Sequence, residues 1–112
     1  DEIPYRANIG PGAVSIDLAA GASAGARNLE LTLVGNVSSF ELANPGDGRT
    51  YNFWLYQDAT GGRTFAGFPA IFDFGNGTAP TLTTTANAYD FFSCIYSSEK
   101  PKFTAVHVPN PS

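Results

Sequence analysis

Apolar and polar residues alternate along much of the chain, as they do in strands with one buried face. The run AVSIDL places Val14, Ile16 and Leu18 on one face, and LELTLV alternates leucines with Glu30 and Thr32. Glycine and proline recur throughout, with 12 and 8 copies, so no stretch keeps a clean helical period. The pattern predicts an all-β chain.

Turn-forming residues between these runs predict how the strands connect. Gly35-Asn36 is expected to close a two-residue hairpin between LELTLV and VSSFEL. The segment NPGDG at 44–48 is dense in turn residues. RTFAGF is expected to pair back against TYNFWLYQ, with IFDF following it. DFFSCIYS and KFTAVHVP are interpreted as the last two strands.

This spacing indicates about eight short strands in a single-domain antiparallel β-sandwich or jelly roll. We expect residues 1–12 to be an extended N-terminal arm or the remnant of a connector, and residues 13–112 to be the β-sandwich domain. The sequence shows no internal repeat. Because the chain contains no methionine, we expect it to be a processed or excised part of a longer protein.

The run TYNFWLYQ is aromatic on both of its faces. Tyr51 and Phe53 point to one side, and Trp54 and Tyr56 to the other. This predicts a central strand that is covered once by its own core and once by another layer or subunit. The three residues considered for an oligomer interface, or alternatively for a sugar-stacking platform, are Tyr51, Trp54 and Tyr56.

The composition of the chain argues against some classes of binding partner. The 112 residues carry a net charge of −4 and no basic cluster, which argues against nucleic-acid binding. No apolar run is long enough to span a bilayer, so we expect no membrane insertion. The single cysteine, Cys94, excludes an intrachain disulfide, and its apolar neighbours predict a buried thiol.

No residue pattern indicates catalysis. His107 is the only histidine, no nucleophile motif accompanies it, and we expect it at the surface. The carboxylates Asp58, Asp73 and Asp90 have no spacing that pairs them for glycoside hydrolysis. We therefore predict no catalytic residue, no metal site and no cofactor. A small hydrolase that uses Asp58 and His107 is the weakest of three hypotheses.

The segment QDATGGRT is predicted to be a structural turn. A phosphate loop needs four residues between its glycines and then Lys-Ser/Thr, whereas Gly61 and Gly62 are adjacent. Asp58 is expected to accept backbone N–H bonds, the two glycines to take positive φ, and Arg63 to pair with Asp58. Gln57 offers its side-chain amide to adjacent strands.

The octet and its surroundings resemble a small β-domain of phage tail fibres, tail spikes and related virion appendages. The likeness extends over residues 13–108 and includes NPGDGRTYNF before the octet and TAPTLTTTANAYDFFSCIYSS after it. The matching positions are Asp17, Leu18, Gly21, Leu33, Gly35, Asn36, Asn44, Pro45, Gly48, 57–64, Pro80, Leu82, Thr83, 86–88 and Asp90.

The resemblance implies a non-enzymatic structural or adhesion module located in the virion. It implies a homotrimer that contacts other virion proteins and a glycan or protein of the host surface. Receptor contacts would then lie in the variable loops AAGASAGAR, GNGTAP and SSEKP. The alternative that the residues leave open is a monomeric carbohydrate-binding module.

Overall fold

The chain is all-β in its computed structural model, which describes residues 4–66, 68–69, 71–75 and 79–109. Within these residues there are eight strands, one short 3-10 turn at Gly21–Ser23 and no α-helix. The strands are β1 Tyr5–Ile9, β2 Gly12–Asp17, β3 Asn28–Leu33, β4 Val37–Ala43, β5 Thr50–Gln57, β6 Phe72–Asp73, β7 Tyr89–Ser97 and β8 Lys102–Val108. The all-β prediction and the expected number of strands are confirmed. Among the described residues, no helix is long and apolar enough to cross a membrane.

The strands form two sheets of very different size. Six strands make one sheet in the order β1-β3-β5-β7-β8-β6, and β2 and β4 make the other. The pairs β1–β3, β3–β5, β2–β4 and β6–β8 are parallel, whereas β5–β7 and β7–β8 are antiparallel. The prediction of an antiparallel arrangement is therefore wrong for the first half of the chain.

The corner at Gly35 explains this difference. β3 and β4 lie in different sheets, so the chain makes a strand–corner–strand arch there, not the predicted hairpin. The Asn36 carbonyl accepts a bond from Gly12 N at 2.8 Å, and its side chain accepts one from Thr64 N at 3.0 Å. A Cβ on Gly35 would lie 2.8 Å from Pro11 N. Asn36 therefore bonds this corner to the chain at Gly12 and Thr64. The close approach of Pro11 leaves no room for a side chain at position 35.

Three strands of the large sheet, β1, β3 and β5, follow one another with a constant step. Tyr5 lies opposite Leu29, and Leu29 lies opposite Phe53, so each step is 24 residues. The small sheet has a different offset, since Val14 lies opposite Phe40, 26 residues away. The sequence shows no internal repeat, because the residues at equivalent positions share only apolar character and strand position.

The segment after β5 also departs from the prediction. Phe65 forms one parallel bridge to Val37, while the neighbours of β5 are β3 and β7. RTFAGF therefore does not pair back on TYNFWLYQ. Of the expected IFDF strand, only Phe72–Asp73 is extended and paired. Gly67 and Ala70 lie outside the described residues.

The hydrophobic core lies between the two sheets. Phe53 from the large sheet and Phe40 from the small one have ring centroids 5.7 Å apart, and Phe92 stacks on Phe53 at 4.9 Å. All three side chains are buried, and burial of one such ring stabilises the fold by about 2–3 kcal/mol. Among the described residues no backbone hydrogen bond joins the two sheets, so these side chains hold them together.

The segment predicted as an arm takes part in this arrangement. Tyr5–Ile9 is extended as expected, but it is an edge strand of the large sheet and Ile9 belongs to the core. Residues 1–3 lie outside the described part of the chain. The proposed boundary at residue 13 therefore falls inside the first arch.

Candidate functional site

The predicted turn after β5 is built around the Asp58 carboxylate. Its Oδ1 accepts bonds from Thr60 N at 3.2 Å and Gly61 N at 3.0 Å. Arg63 donates Nε to Oδ1 at 3.3 Å and a terminal nitrogen to Oδ2 at 3.0 Å. The Arg63 side chain and these backbone donors lower the pKa of Asp58. The Asp58–Arg63 pairing expected from the sequence is present in this geometry.

The two glycines of the turn have different surroundings. Gly61 and Gly62 both have positive φ, +71° and +73°. A Cβ on Gly61 would lie 2.7 Å from Ala86 N, whereas a Cβ on Gly62 would meet nothing within 4 Å. Gly61 is thus required for both backbone conformation and space, and Gly62 for conformation alone.

Gln57 connects this turn to the segment before β7. Its buried side chain donates to Arg63 O at 2.7 Å and to Thr83 O at 3.0 Å, and accepts from Arg63 N at 3.0 Å. Gly62 N donates to Thr84 O at 2.7 Å. Together with the two bonds to Asp58, these contacts occupy every backbone N–H from residue 60 to 63. A phosphate cradle needs such groups free, so the geometry is that of a structural turn.

Tyr51 does not lie with Trp54 and Tyr56. Its side chain is only 2% exposed, and its hydroxyl accepts a bond from Gly46 N at 2.7 Å. Its ring packs against Phe103 with centroids 6.2 Å apart. Because Tyr51 points into the core, its assignment to an exposed aromatic platform is wrong.

Trp54 lies in a cross-strand row on the outer surface of the large sheet. From β1 to β8, the row consists of Arg6, Glu30, Trp54, Phe91 and Val108. Arg6 and Glu30 form an ion pair at 2.7 Å, and the Trp54 and Phe91 rings are 5.0 Å apart. The outer surface therefore changes from charged to apolar between β3 and β5.

The neighbouring row repeats this division. Asn8 and Thr32 occupy β1 and β3, and Tyr56 and Tyr89 occupy β5 and β7 with ring centroids 5.2 Å apart. Partial burial raises the pKa of Tyr56, and the nearby Glu30 carboxylate adds to the shift. On the polar side, a shallow cleft of about 530 Å³ is lined by Arg6, Ala7, Asn8, Glu30, Thr32 and Tyr56.

The apolar side of this surface is uncovered in the single chain. Ile95, Val106 and Val108 are 46%, 61% and 42% exposed. We name this region the outer apolar face; its members are Trp54, Tyr56, Tyr89, Phe91, Ile95, Val106 and Val108. Sequence reasoning identified only Trp54 and Tyr56, because the other members join them through strand pairing. The aromatic residues of DFFSCIYS were the sequence signal that could have pointed to a second aromatic strand beside Trp54 and Tyr56.

A buried acid–base pair lies on the core side of β7 and β8. Asp90 is 0% exposed, and its Oδ2 is 2.6 Å from His107 Nε2. Thr83 N lies 3.3 Å from both carboxylate oxygens, and the imidazole stacks on Phe92 at 4.6 Å. The expectation that His107 is a surface residue is wrong, since its side chain is only 14% exposed.

Among the residues that the structure describes, this pair has no third member of a catalytic triad. Such a triad needs a nucleophilic hydroxyl hydrogen-bonded to the second imidazole nitrogen. In the described part of the chain, His107 makes its one side-chain hydrogen bond with Asp90. Asp58 is paired with Arg63, and Asp73 accepts a bond from Gly75 N at 2.9 Å. The three candidate carboxylates thus have separate partners.

Two further sequence expectations concern metal ligands and the thiol. Among the described residues, no three His, Cys, Asp or Glu side chains are grouped to hold a metal ion. Cys94 is buried, and this burial raises its pKa to about 12. The predicted buried thiol is confirmed.

Comparisons of this chain with protein-family models, curated proteins and solved structures give no significant match. The resemblance to phage appendage domains therefore rests on the sequence motif and stays a prediction.

Proposed function

We propose that the chain is a structural and adhesion domain of a phage virion appendage that assembles as a homotrimer and contacts the host surface. The outer apolar face supports this proposal. It places three aliphatic side chains, each more than two-fifths exposed, beside two aromatic pairs. Exposed apolar side chains clustered in this way, around the polar pair Asn52 and Ser93, favour an interaction site.

The area of the outer apolar face is smaller than that of a complete subunit interface. Its members lie on three strands spaced about 4.8 Å apart and in four cross-strand rows about 7 Å apart, which gives roughly 400 Å². A standard interface takes about 800 Å² from each partner. The outer apolar face would therefore form the centre of a contact, with polar neighbours at its rim.

In this proposal, the two facing sheets form the β-sandwich unit of each subunit, and the module has no catalytic role. Its location is the virion, in a tail fibre, tail spike or head fibre. It would contact other virion proteins, and its host ligand would be a surface glycan or protein. The octet supports the appendage assignment, and its role is to hold the turn after β5.

The test is the solution mass measured by light scattering over a concentration series. We expect a mass near three times 11.8 kDa for the unaltered chain. Val106→Glu should give a monomer, because it places a charge on the exposed face without touching the core. Ser39→Glu, on an exposed position of β4, should leave the mass unchanged. A monomer for the unaltered chain at all concentrations would refute the trimer.

A monomeric carbohydrate-binding module is the second candidate, and one observation favours it. The cleft beside Tyr56 combines an aromatic ring with planar polar groups from Arg6, Asn8 and Glu30. Stacking on a ring and in-plane hydrogen bonds are how proteins hold sugars. This candidate predicts a monomer whose retention in a polysaccharide-containing gel is lost in Tyr56→Ala and unchanged in Ser39→Glu.

A further inference from the structure

The cleft beside Tyr56 lies on the outer surface of the large sheet, on the side of Tyr56 away from Tyr89. Its lining residues come from three neighbouring strands: Arg6, Ala7 and Asn8 from β1, Glu30 and Thr32 from β3, and Tyr56 from β5. It measures about 530 Å³, and clefts that bind small molecules measure roughly 300–1,000 Å³. The cleft therefore has room for a small molecule.

Strand pairing fixes the position of each polar group in the cleft. Arg6 lies directly opposite Glu30. Thr32 lies between Asn8 on one side and Tyr56 on the other. Neighbouring strands are about 4.8 Å apart, and residues on one face of a strand repeat about every 7 Å. Backbone pairing thus holds two charged groups, an amide, a hydroxyl and an aromatic ring in one patch about 10 Å wide from β1 to β5.

The ion pair of Arg6 and Glu30 offers hydrogen-bond donors beside acceptors. Arg6 donates Nε to one carboxylate oxygen of Glu30 at 2.7 Å, and within the described part of the chain its side chain makes no other hydrogen bond. The terminal nitrogens of Arg6 can therefore donate to a ligand, and the second oxygen of Glu30 can accept from one. The two side chains are 64% and 27% exposed, so a ligand can reach both.

The charges of the cleft favour an uncharged ligand. One positive and one negative group in contact give the cleft no net charge, and the whole chain carries −4. An anionic ligand would meet the Glu30 carboxylate and this negative field, and a cationic ligand would meet Arg6. A neutral molecule with hydroxyl groups avoids both costs, because a hydroxyl can accept from a guanidinium and donate to a carboxylate.

Tyr56 forms one wall of the cleft. Tyr89 packs against it from β7, with ring centroids 5.2 Å apart, and so supports the ring from the other side. Partial burial, and then the Glu30 carboxylate, raise the pKa of Tyr56, so the ring and the ion pair share one environment. A supported aromatic ring beside hydrogen-bonding groups fits a sugar, which has a C–H face for the ring and hydroxyls around its edge.

We infer that this cleft binds a neutral hexose of a host-surface glycan through two adjacent hydroxyl groups. One hydroxyl accepts from the terminal nitrogens of Arg6, its neighbour donates to the free oxygen of Glu30, and the sugar ring lies against Tyr56. Asn8 and Thr32 bind further hydroxyls. The inference rests on the proposed adhesion role, and it adds the chemical class of the host ligand and the residues that recognise it.

The probes are D-galactose, D-glucose and D-mannose, each compared with its uronic acid, in which a carboxylate replaces the C6 hydroxymethyl group. Titration of the whole chain, followed by its amide NMR shifts, should show saturable binding of at least one hexose with a Kd of about 1–10 mM. The amides of Arg6, Glu30 and Thr32 should be among those that shift. The matching uronic acid should bind about threefold more weakly or worse, because its carboxylate meets a negatively charged chain.

Deoxygenated sugars test the contact with two adjacent hydroxyls. Monodeoxy derivatives of the hexose that binds should include two, altered at neighbouring carbons, that bind about tenfold more weakly, because hydrogen bonds to charged groups are strong. Derivatives altered at the other carbons should lose less.

Glu30→Gln is the decisive variant, because a neutral and an acidic ligand predict opposite results. It removes a charged acceptor, so a neutral hexose should bind about tenfold more weakly. An acidic sugar would bind more tightly once this negative charge is gone. Glu41→Gln is the matched control, since Glu41 contacts Ser15 on the small sheet, and it should bind as the unaltered chain does. Tyr56→Phe keeps the ring and should retain most of the binding.

Three results would overturn the inference. The first is absence of saturable shifts with all three hexoses at up to about 100 mM. The second is tighter binding of a uronic acid than of its hexose, or tighter sugar binding by Glu30→Gln. The third is hexose binding that shifts amides away from the cleft and is unchanged in Glu30→Gln.

The solution mass tests the proposed assembly separately. Glu30 lies outside the outer apolar face, so Glu30→Gln should keep the mass of the unaltered chain. A trimer that binds no hexose would overturn this inference and leave the assembly standing. A monomer that binds a hexose in the cleft would refute the trimer and favour the second candidate function.

Discussion

The carboxylate of Asp90 lies 2.6 Å from Nε2 of His107, although 17 residues separate them in the sequence. The pair links the start of β7 to the end of β8. Through Thr83 N it also holds the segment before β7. That segment in turn accepts a bond from Gln57, so the pair is connected to the turn at residues 57–63.

Removal of one member of this pair should be strongly destabilising. Asp90→Ala leaves His107 and Thr83 N without their partner inside the core, and leaving a buried polar group unsatisfied costs about 1–3 kcal/mol for each group. Urea unfolding measures the change. The double variant Asp90→Asn, His107→Gln restores a neutral hydrogen bond and should recover part of the loss. A change below about 1 kcal/mol for Asp90→Ala would contradict the contact.

Gly61→Ala and Gly62→Ala form a matched pair. Both place a side chain at positive φ, which costs about 1–2 kcal/mol. Only at Gly61 does the added Cβ also meet backbone, at 2.7 Å from Ala86 N. Thermal or urea unfolding should therefore show a clearly larger loss for Gly61→Ala. Equal losses of unfolding free energy would mean that residues 84–86 do not pack closely against Gly61.

Asp58 should make stability depend on pH in the acid range. Its pKa is lowered in the folded chain, first by Arg63, so folding favours the charged carboxylate. The contribution is present above the unfolded pKa near 3.8 and is lost as pH falls through the lower folded pKa.

Unfolding midpoints of the unaltered chain and Asp58→Asn should therefore converge as pH drops below about 4. Asp17 also has a lowered pKa, from the backbone N–H of Ala19. Asp17→Asn should converge with the unaltered chain in the same way, because folding also favours the charged form of that carboxylate. A difference between Asp58→Asn and the unaltered chain that stays constant from neutral to acid pH would contradict the prediction.

Cys94 should be unreactive in the folded chain. Its thiol is buried and its pKa is raised to about 12, so thiolate is scarce at neutral pH. Labelling with a disulfide reagent should be slow in buffer and fast in urea. Ser39→Cys in a Cys94→Ala background provides the exposed control and should react at the rate of a free thiol. Rapid labelling of Cys94 in buffer would show that β7 opens readily.

The local features of the fold were predictable because they depend on neighbours in the sequence. The Asp58 turn needs an acceptor, two glycines and an arginine within six positions, and the structure brings them together as expected. Cys94 lies among apolar residues in its own strand, which was enough to predict its burial. The all-β class followed from alternation over short runs.

For β2 to β5, β7 and β8, the sequence by itself determined which residues are extended and which side of each strand faces the core, since alternation is set by the strand's own geometry. Only the tertiary structure decided which strands are neighbours. Backbone hydrogen bonds can form between any two strands, whatever their side chains. The same alternation of apolar and polar residues is therefore compatible with an arch or with a hairpin at Gly35. For that reason the 24-residue step, the Asp90–His107 pair and the outer apolar face arise only when strands far apart in sequence are brought together.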